Sequence, residues 1–219
     1  MIYFLSRIIF TATLVITSLI ALSQGSMGLE FDGVDDYAVI VNQSAEPTLE
    51  TNFSFGATIK VSEVNSFSTI LGKKDYQGQG IVQFGVNING YLFLKCNGIL
   101  YTGNGIYDLL DEQCHHVAVS VNEEEVNFFV DGNRVSAKTA MVNHIVSNID
   151  SLFLGNLLGE EEEAAFSGLI DDIRIWRTNR SAGDYQGNLT NIQFQTSNLQ
   201  ELYFAADFGS PEFYGEKLA

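Results

Sequence analysis

Apolar and polar residues alternate with a period of two through most of this chain, and helical periodicity is nearly absent. Within 115–121, Val117, Val119 and Val121 fall on one face and Ala118 and Ser120 on the other, the pattern of a strand with one strongly apolar side. Runs of this kind recur at close spacing. They predict strands at 37–41, 53–61, 68–72, 81–88, 91–96, 115–121, 126–130, 134–137, 152–155, 169–176 and 202–206. Turn residues separate them. Asn89-Gly90 is the strongest short-range hairpin signal, because Asn and Gly tolerate the positive φ of a two-residue turn. Glu123-Glu124-Glu125 and Asp131-Gly132-Asn133 mark the next two turns. Ser181, with Asp184 three residues on, reads as a capping box opening one short helix into 185–189. The acidic run 160–163 reads as a solvated loop. With 20 glycines and two prolines, the chain predicts an all-β sandwich or barrel.

The first residues follow a different rule. Arg7 is the lone charge before an apolar run from Ile8 to Leu22, and Ala21-Leu22-Ser23 supplies the small residues of a cleavage site. Residues 1–23 therefore read as a signal peptide. The competing reading is an uncleaved anchor, because the run nearly reaches the length of a membrane span. Cleavage leaves 24–219, or 219 − 23 = 196 residues, enough for one all-β domain. The expectation is a protein secreted or held at the cell surface, with no membrane insertion after cleavage.

Charge narrows the partners. Eleven Lys and Arg stand against 27 Asp and Glu, a net −16, which repels phosphate backbones and argues against nucleic acid. An even pair of cysteines, Cys96 and Cys114, invites a disulfide in an exported chain. Cys96 shares a face with Leu92 and Leu94, Cys114 with Ala118 and Ser120, so two buried free thiols are the alternative.

Several segments fall in a familiar order: LEFDGVDDYAV at 29–39, the strand 53–61, CHHVAVS at 114–120, VNFFVDGNR at 126–134, SGLIDDIRIWR at 167–177, and the helix-forming RSAGDYQ that follows. Together they resemble the LamG-like, concanavalin A-like jelly-roll family of laminin G and pentraxin type. Cys114 stands where that family usually has tryptophan. The resemblance covers nearly all of 24–219. It implies a two-sheet antiparallel jelly-roll sandwich with one short helix near the C-terminus, and pairing of the opening strand with 167–177. It also implies an extracellular binding module for a glycan or a surface protein, in carbohydrate recognition or adhesion. A structural, protein-contacting module is the alternative, and a glycoside hydrolase of the same fold is a lesser one.

The resemblance also implies calcium, which members bind at sandwich rims through carboxylate and carbonyl oxygens. Asp32 and Asp36, with Asp35 beside them, would meet Asp171 and Asp172 if the two end strands pair. The competing role for Asp36 and Asp171 is to accept backbone hydrogen bonds at strand kinks. A sugar site needs an aromatic platform beside polar side chains, and Lys74, Asp75, Tyr76, Tyr101 and Tyr107 are the candidates, with Tyr91 nearby. Trp176, the single tryptophan, reads as core. Glu30 and Asp32 share a face as two-carboxylate hydrolysis requires, but the third acid of the hydrolase motif is missing and Gly33 breaks the strand. No G-x-S-x-G, H-E-x-x-H or C-x-x-C occurs, and His115 reads as a packed or hydrogen-bonded residue. Asn42, Asn52, Asn179 and Asn188 begin sequons that matter only in a glycosylating host.

Overall fold

The computed structural model describes residues 28–41, 49, 51–64, 66–74, 80–139, 151–157, 163–186 and 202–206. The expected leader, Asp75, Tyr76, His144 and the sequons at Asn42 and Asn188 lie outside these residues. The described elements are β1 (Leu29–Asp32), β2 (Ala38–Val41), β3 (Phe53–Glu63), β4 (Phe67–Lys74), β5 (Gly80–Asn87), β6 (Leu92–Cys96), β7 (Ile99–Thr102), β8 (Cys114–Val121), β9 (Glu125–Val130), β10 (Asn133–Thr139), β11 (Ser151–Leu154), β12 (Glu163–Ala164), β13 (Ser167–Trp176), α1 (Ala182–Gln186) and β14 (Leu202–Ala206).

They form two sheets. The first runs β1-β13-β3-β8-β9-β10, with β14 also on β13; the second runs β2-β11-β4-β5-β6-β7, with β12 also on β4. The ladders are antiparallel apart from the two-residue β12–β4 contact. This is an all-β, two-sheet antiparallel jelly-roll sandwich with one short helix.

Alternation builds the core. Phe53, Phe55, Ala57, Ile59 and Val61 of β3 point inward beside Val117, Val119 and Val121 of β8, against Val82, Phe84 and Val86 of β5. The other face of β8 is buried too. Ala118, Phe129, Trp176 and Tyr185 make a second, outer cluster, so Trp176 is core but not in the space between the sheets. The stretch leading into α1 is pinned there by backbone groups: the Arg180 N–H lies 2.9 Å from Oγ of both Ser54 and Ser120, and Ser54 Oγ donates to the Thr178 carbonyl at 2.8 Å. Ser181 caps α1 as its spacing with Asp184 predicts, its N–H and hydroxyl donating to Asp184 Oδ2 at 2.7 and 2.8 Å.

Two tight turns fix register. Asp131-Gly132 joins β9 to β10 with φ of 50° and 75°. Asn97-Gly98 joins β6 to β7 with φ of 49° and 80°. Positive φ at both positions is the two-residue hairpin signature. The second turn creates β7, a strand the alternation did not reveal.

The structure corrects the disulfide. Both cysteines are free. Cys96 lies on the inner face of the second sheet, and burial pushes its thiol up to about 12. Cys114 starts β8 in the first sheet and is exposed, so neither pairing nor two buried thiols describes the pair.

Candidate functional site

The two outer sheet faces differ. α1 and the stretch before it close the first. Among the described residues no helix covers the second, and its β2 edge combines carboxylates with an aromatic pair.

The edge begins where the chain crosses from β1 in one sheet to β2 in the other. Gly33, at φ 80°, lets the chain turn just after β1. Carboxylate oxygens of Asp32, Asp35 and Asp36 lie within 4.8 Å of one another, all three residues exposed. Two of these carboxylates also shape the loop: Asp32 Oδ1 accepts from the Val34 N–H at 2.8 Å, and Asp36 Oδ2 from the Asp32 N–H at 3.1 Å. Tyr37 follows directly. It is 49% exposed, and its ring centroid lies 6.2 Å from that of Phe153 at 45°. Phe153 pairs with Val39 on β2 and Gly72 on β4, so these positions share the outer face. A Cβ on Gly72 would sit 3.0 Å from the Leu157 side chain, which shows that Leu157 covers the face next to this edge. Farther in, Gln83 Nε2 donates to Thr69 Oγ1 at 2.8 Å, while buried Gln83 Oε1 has no partner among the described residues. Phe93 packs edge-on against Phe67 at 4.8 Å.

Opening strand and β13 do pair, but their register separates the carboxylates expected to meet. Asp32 lies opposite Ser167 and Leu29 opposite Ile170, so Asp171 falls beyond the start of β1. Four residues of strand, about 13 Å, separate the two positions. Asp171 Oδ1 accepts from the Asp172 N–H at 2.7 Å, the kink role weighed for it in the sequence. Asp172, at φ 47°, holds the buried Arg174 with two 2.9 Å hydrogen bonds. Asp171 and Asp172 thus shape a bulge and anchor an arginine, and the cation-capable group is Asp32, Asp35 and Asp36.

Of the aromatic candidates, Tyr101 is buried on the inner face of β7, since it pairs with Leu94, and offers no platform. Tyr107 is half-buried against the core. Lys74 ends β4, and its neighbours Asp75 and Tyr76 fall outside the described residues. Tyr37 and Phe153 were missed as platform residues. The signal was present: Tyr37 follows three aspartates and, by alternation, shares the face of Val39. Glu30 and Asp32 do share the exposed face of β1, in solvent. No described helix is long and apolar enough to cross a membrane.

Residues 32–184 match the family model of the concanavalin A-like lectin/glucanases superfamily. No curated protein matches the sequence. Among solved structures, a candidate carbohydrate-binding protein from Bacteroides ovatus superposes with a TM-score of 0.64 at 18% identity, over 86% of this chain and 54% of the other. This chain thus spans about half the length of that protein. The native heptameric SAP-like pentraxin of Limulus polyphemus gives a TM-score of 0.56 at 13% identity, over 72% and 78% of the two chains. The CBM40 module of the Ruminococcus gnavus IT-sialidase, also solved with α2,3-sialyllactose, gives 0.57 at 16% identity, over 73% and 95%.

Proposed function

We propose that this chain, which belongs to the concanavalin A-like lectin/glucanases superfamily, is a non-catalytic glycan-binding module, secreted or displayed at the cell surface. The observation that carries the reading is the β2 edge of the second sheet. There the half-exposed Tyr37 ring, backed by Phe153, stands beside three solvent-facing carboxylates. A sugar presents an apolar C–H face and a rim of hydroxyls, and an aromatic ring with adjacent acceptors meets both. The carbohydrate-binding neighbours support the same reading.

The calcium expectation narrows to Asp32, Asp35 and Asp36. Ca2+ takes about six to eight oxygens, and three carboxylates already close together fit that chemistry once backbone carbonyls or waters complete the shell. Asp171 and Asp172 do not fit, because they serve the backbone and Arg174.

The test is a glycan array probed with the purified protein, once with calcium and once with chelator, alongside Tyr37→Ala. Binding that Tyr37→Ala weakens supports the edge. Loss on chelation supports the cation as well. An array with no signal in either condition rejects the glycan reading and leaves a structural, protein-contacting module.

A further inference from the structure

We infer that His115 is an imidazolium clamp that fastens the loop between β7 and β8 to the β9–β10 turn, and that this rim of the sandwich loosens when the ring loses its proton. Nδ1 of His115 lies 2.8 Å from Asp131 Oδ2, and Nε2 lies 3.1 Å from Asp111 Oδ1. A neutral imidazole has one N–H and one lone pair, so it can donate to only one of these carboxylates and must present a lone pair to the other. Only the doubly protonated ring satisfies both.

Each carboxylate belongs to a different part of the chain. Asp131 sits in the tight turn at φ 50°, and its second oxygen accepts from the His116 N–H at 3.0 Å. It is therefore fixed to the sheet. Asp111 lies on the loop 103–113, where Oδ1 also accepts from the Gln113 N–H at 2.8 Å. That loop crosses from the second sheet to the first and carries the exposed Ile106 and Leu110. It closes over the 88–91 turn: a Cβ on Gly90 would touch Leu110, and one on Gly105 would strike the Tyr91 ring.

The charged groups facing the ring, among the described residues, are these two carboxylates. From β3 the partner of His115 is Ile59, which is apolar, and alternation turns Cys114 and His116 to the opposite face. The His115 side chain is 13% exposed, enough for proton exchange and buried enough for the carboxylates to act. Burial alone would lower its affinity for a proton. The hydrogen bonds and charges of Asp131 and Asp111 outweigh that and hold it above the ordinary value. A folded-state affinity above the unfolded one means the clamp contributes fully at lower pH and is lost as pH rises through the folded midpoint.

The experiment follows His115 by side-chain NMR on the full chain across about pH 5 to about pH 9, a range that spans histidine titration. Hydrogen exchange of the 103–113 segment is read at both ends of the range and corrected for the intrinsic rate. The expected result is a His115 midpoint above that of an ordinary histidine, with protection of 103–113 lost as the ring deprotonates. Asp111→Asn should lower the midpoint and leave the segment unprotected at both pH values, with the rest of the sheets unchanged. An ordinary midpoint, or protection of 103–113 that does not follow the His115 titration, would overturn the clamp. The wild-type titration decides the matter even if the variant fails to fold.

Discussion

Replacing Asp172 by Asn separates two roles that its sequence allowed. As a calcium ligand, its loss would weaken cation binding and spare the fold. As the partner of Arg174, its loss strands a cation whose side chain is 6% exposed, while Asp172 itself is 19% exposed. The pair is close, at 2.8 Å, and doubly hydrogen-bonded. Asn suits the test because it keeps the shape and tolerates the left-handed φ of 47° at this position. Removing one partner of a buried ion pair costs roughly 3–5 kcal/mol. The partial exposure of Asp172 and the retained Asn carbonyl argue for less than that, about 2–3 kcal/mol. In urea, with a slope of about 2 kcal/mol/M, the unfolding midpoint should fall by about 1–1.5 M. Calcium and chelator should leave that difference unchanged. Adding Arg174→Met to Asp172→Asn should recover most of the loss, because the cost arises from an orphaned charge. An Asp172→Asn midpoint within about 0.3 M of wild type would refute the anchor role. So would a difference between variant and wild type that disappears in chelator, since Asp172 would then be serving a cation.

Three further outcomes are expected. His116 is buried with its ring against Tyr185, and burial, then the nearby Arg174 charge, pushes its pKa down to about 4. Its unfolded value near 6.5 is higher, so this contribution is complete above about pH 6.5 and is lost as pH falls toward about 4, a few kcal/mol in all; thermal melts across that range should show it, and His116→Gln should flatten the slope. Tyr37→Ala should weaken binding to any glycan found on the array by about tenfold, the worth of one stacked ring, without moving the unfolding midpoint, and retention chromatography on that glycan reads it. Thiol titration should find Cys114 reactive in the native protein and Cys96 only after denaturation, whereas two native thiols or none would contradict the faces assigned to them.

The sequence disclosed strands more readily than their partners. Val117, Val119 and Val121 announced the inner face of β8, and Asn89-Gly90 announced the turn between β5 and β6, because both signals are local. By the same rule Asn97-Gly98 is the local signal for β7, which the alternation of apolar residues does not show. The cysteine faces were also read correctly, Cys96 inward and Cys114 with Ala118, but parity within a strand does not say which sheet the strand joins. Register was the larger gap. Pairing of β1 with β13 was expected from the resemblance, yet whether Asp32 lies opposite Ser167 or Asp171 depends on an offset set by packing across the whole sheet. The outer cluster of Phe129, Trp176 and Tyr185 was hidden for the same reason, since nothing local says that α1 folds back over β8 and β9.

The first and last described strands share one edge of β13. β1 pairs with its first half, Leu29 opposite Ile170, and β14 with its second half, Ala206 opposite Ile173. Both run antiparallel to β13, so the last residue of β14 points at the first residue of β1 across the bulge at Asp171 and Asp172. The gap spans three residues of strand, about 10 Å. Topologically the sandwich is a ring with one cut in it. A short peptide could join β14 to β1 along a track already laid, and the chain could be reopened at the Asn97-Gly98 turn with every ladder preserved. The same geometry lets the module be spliced into a loop of a larger host polypeptide, entering and leaving through one doorway.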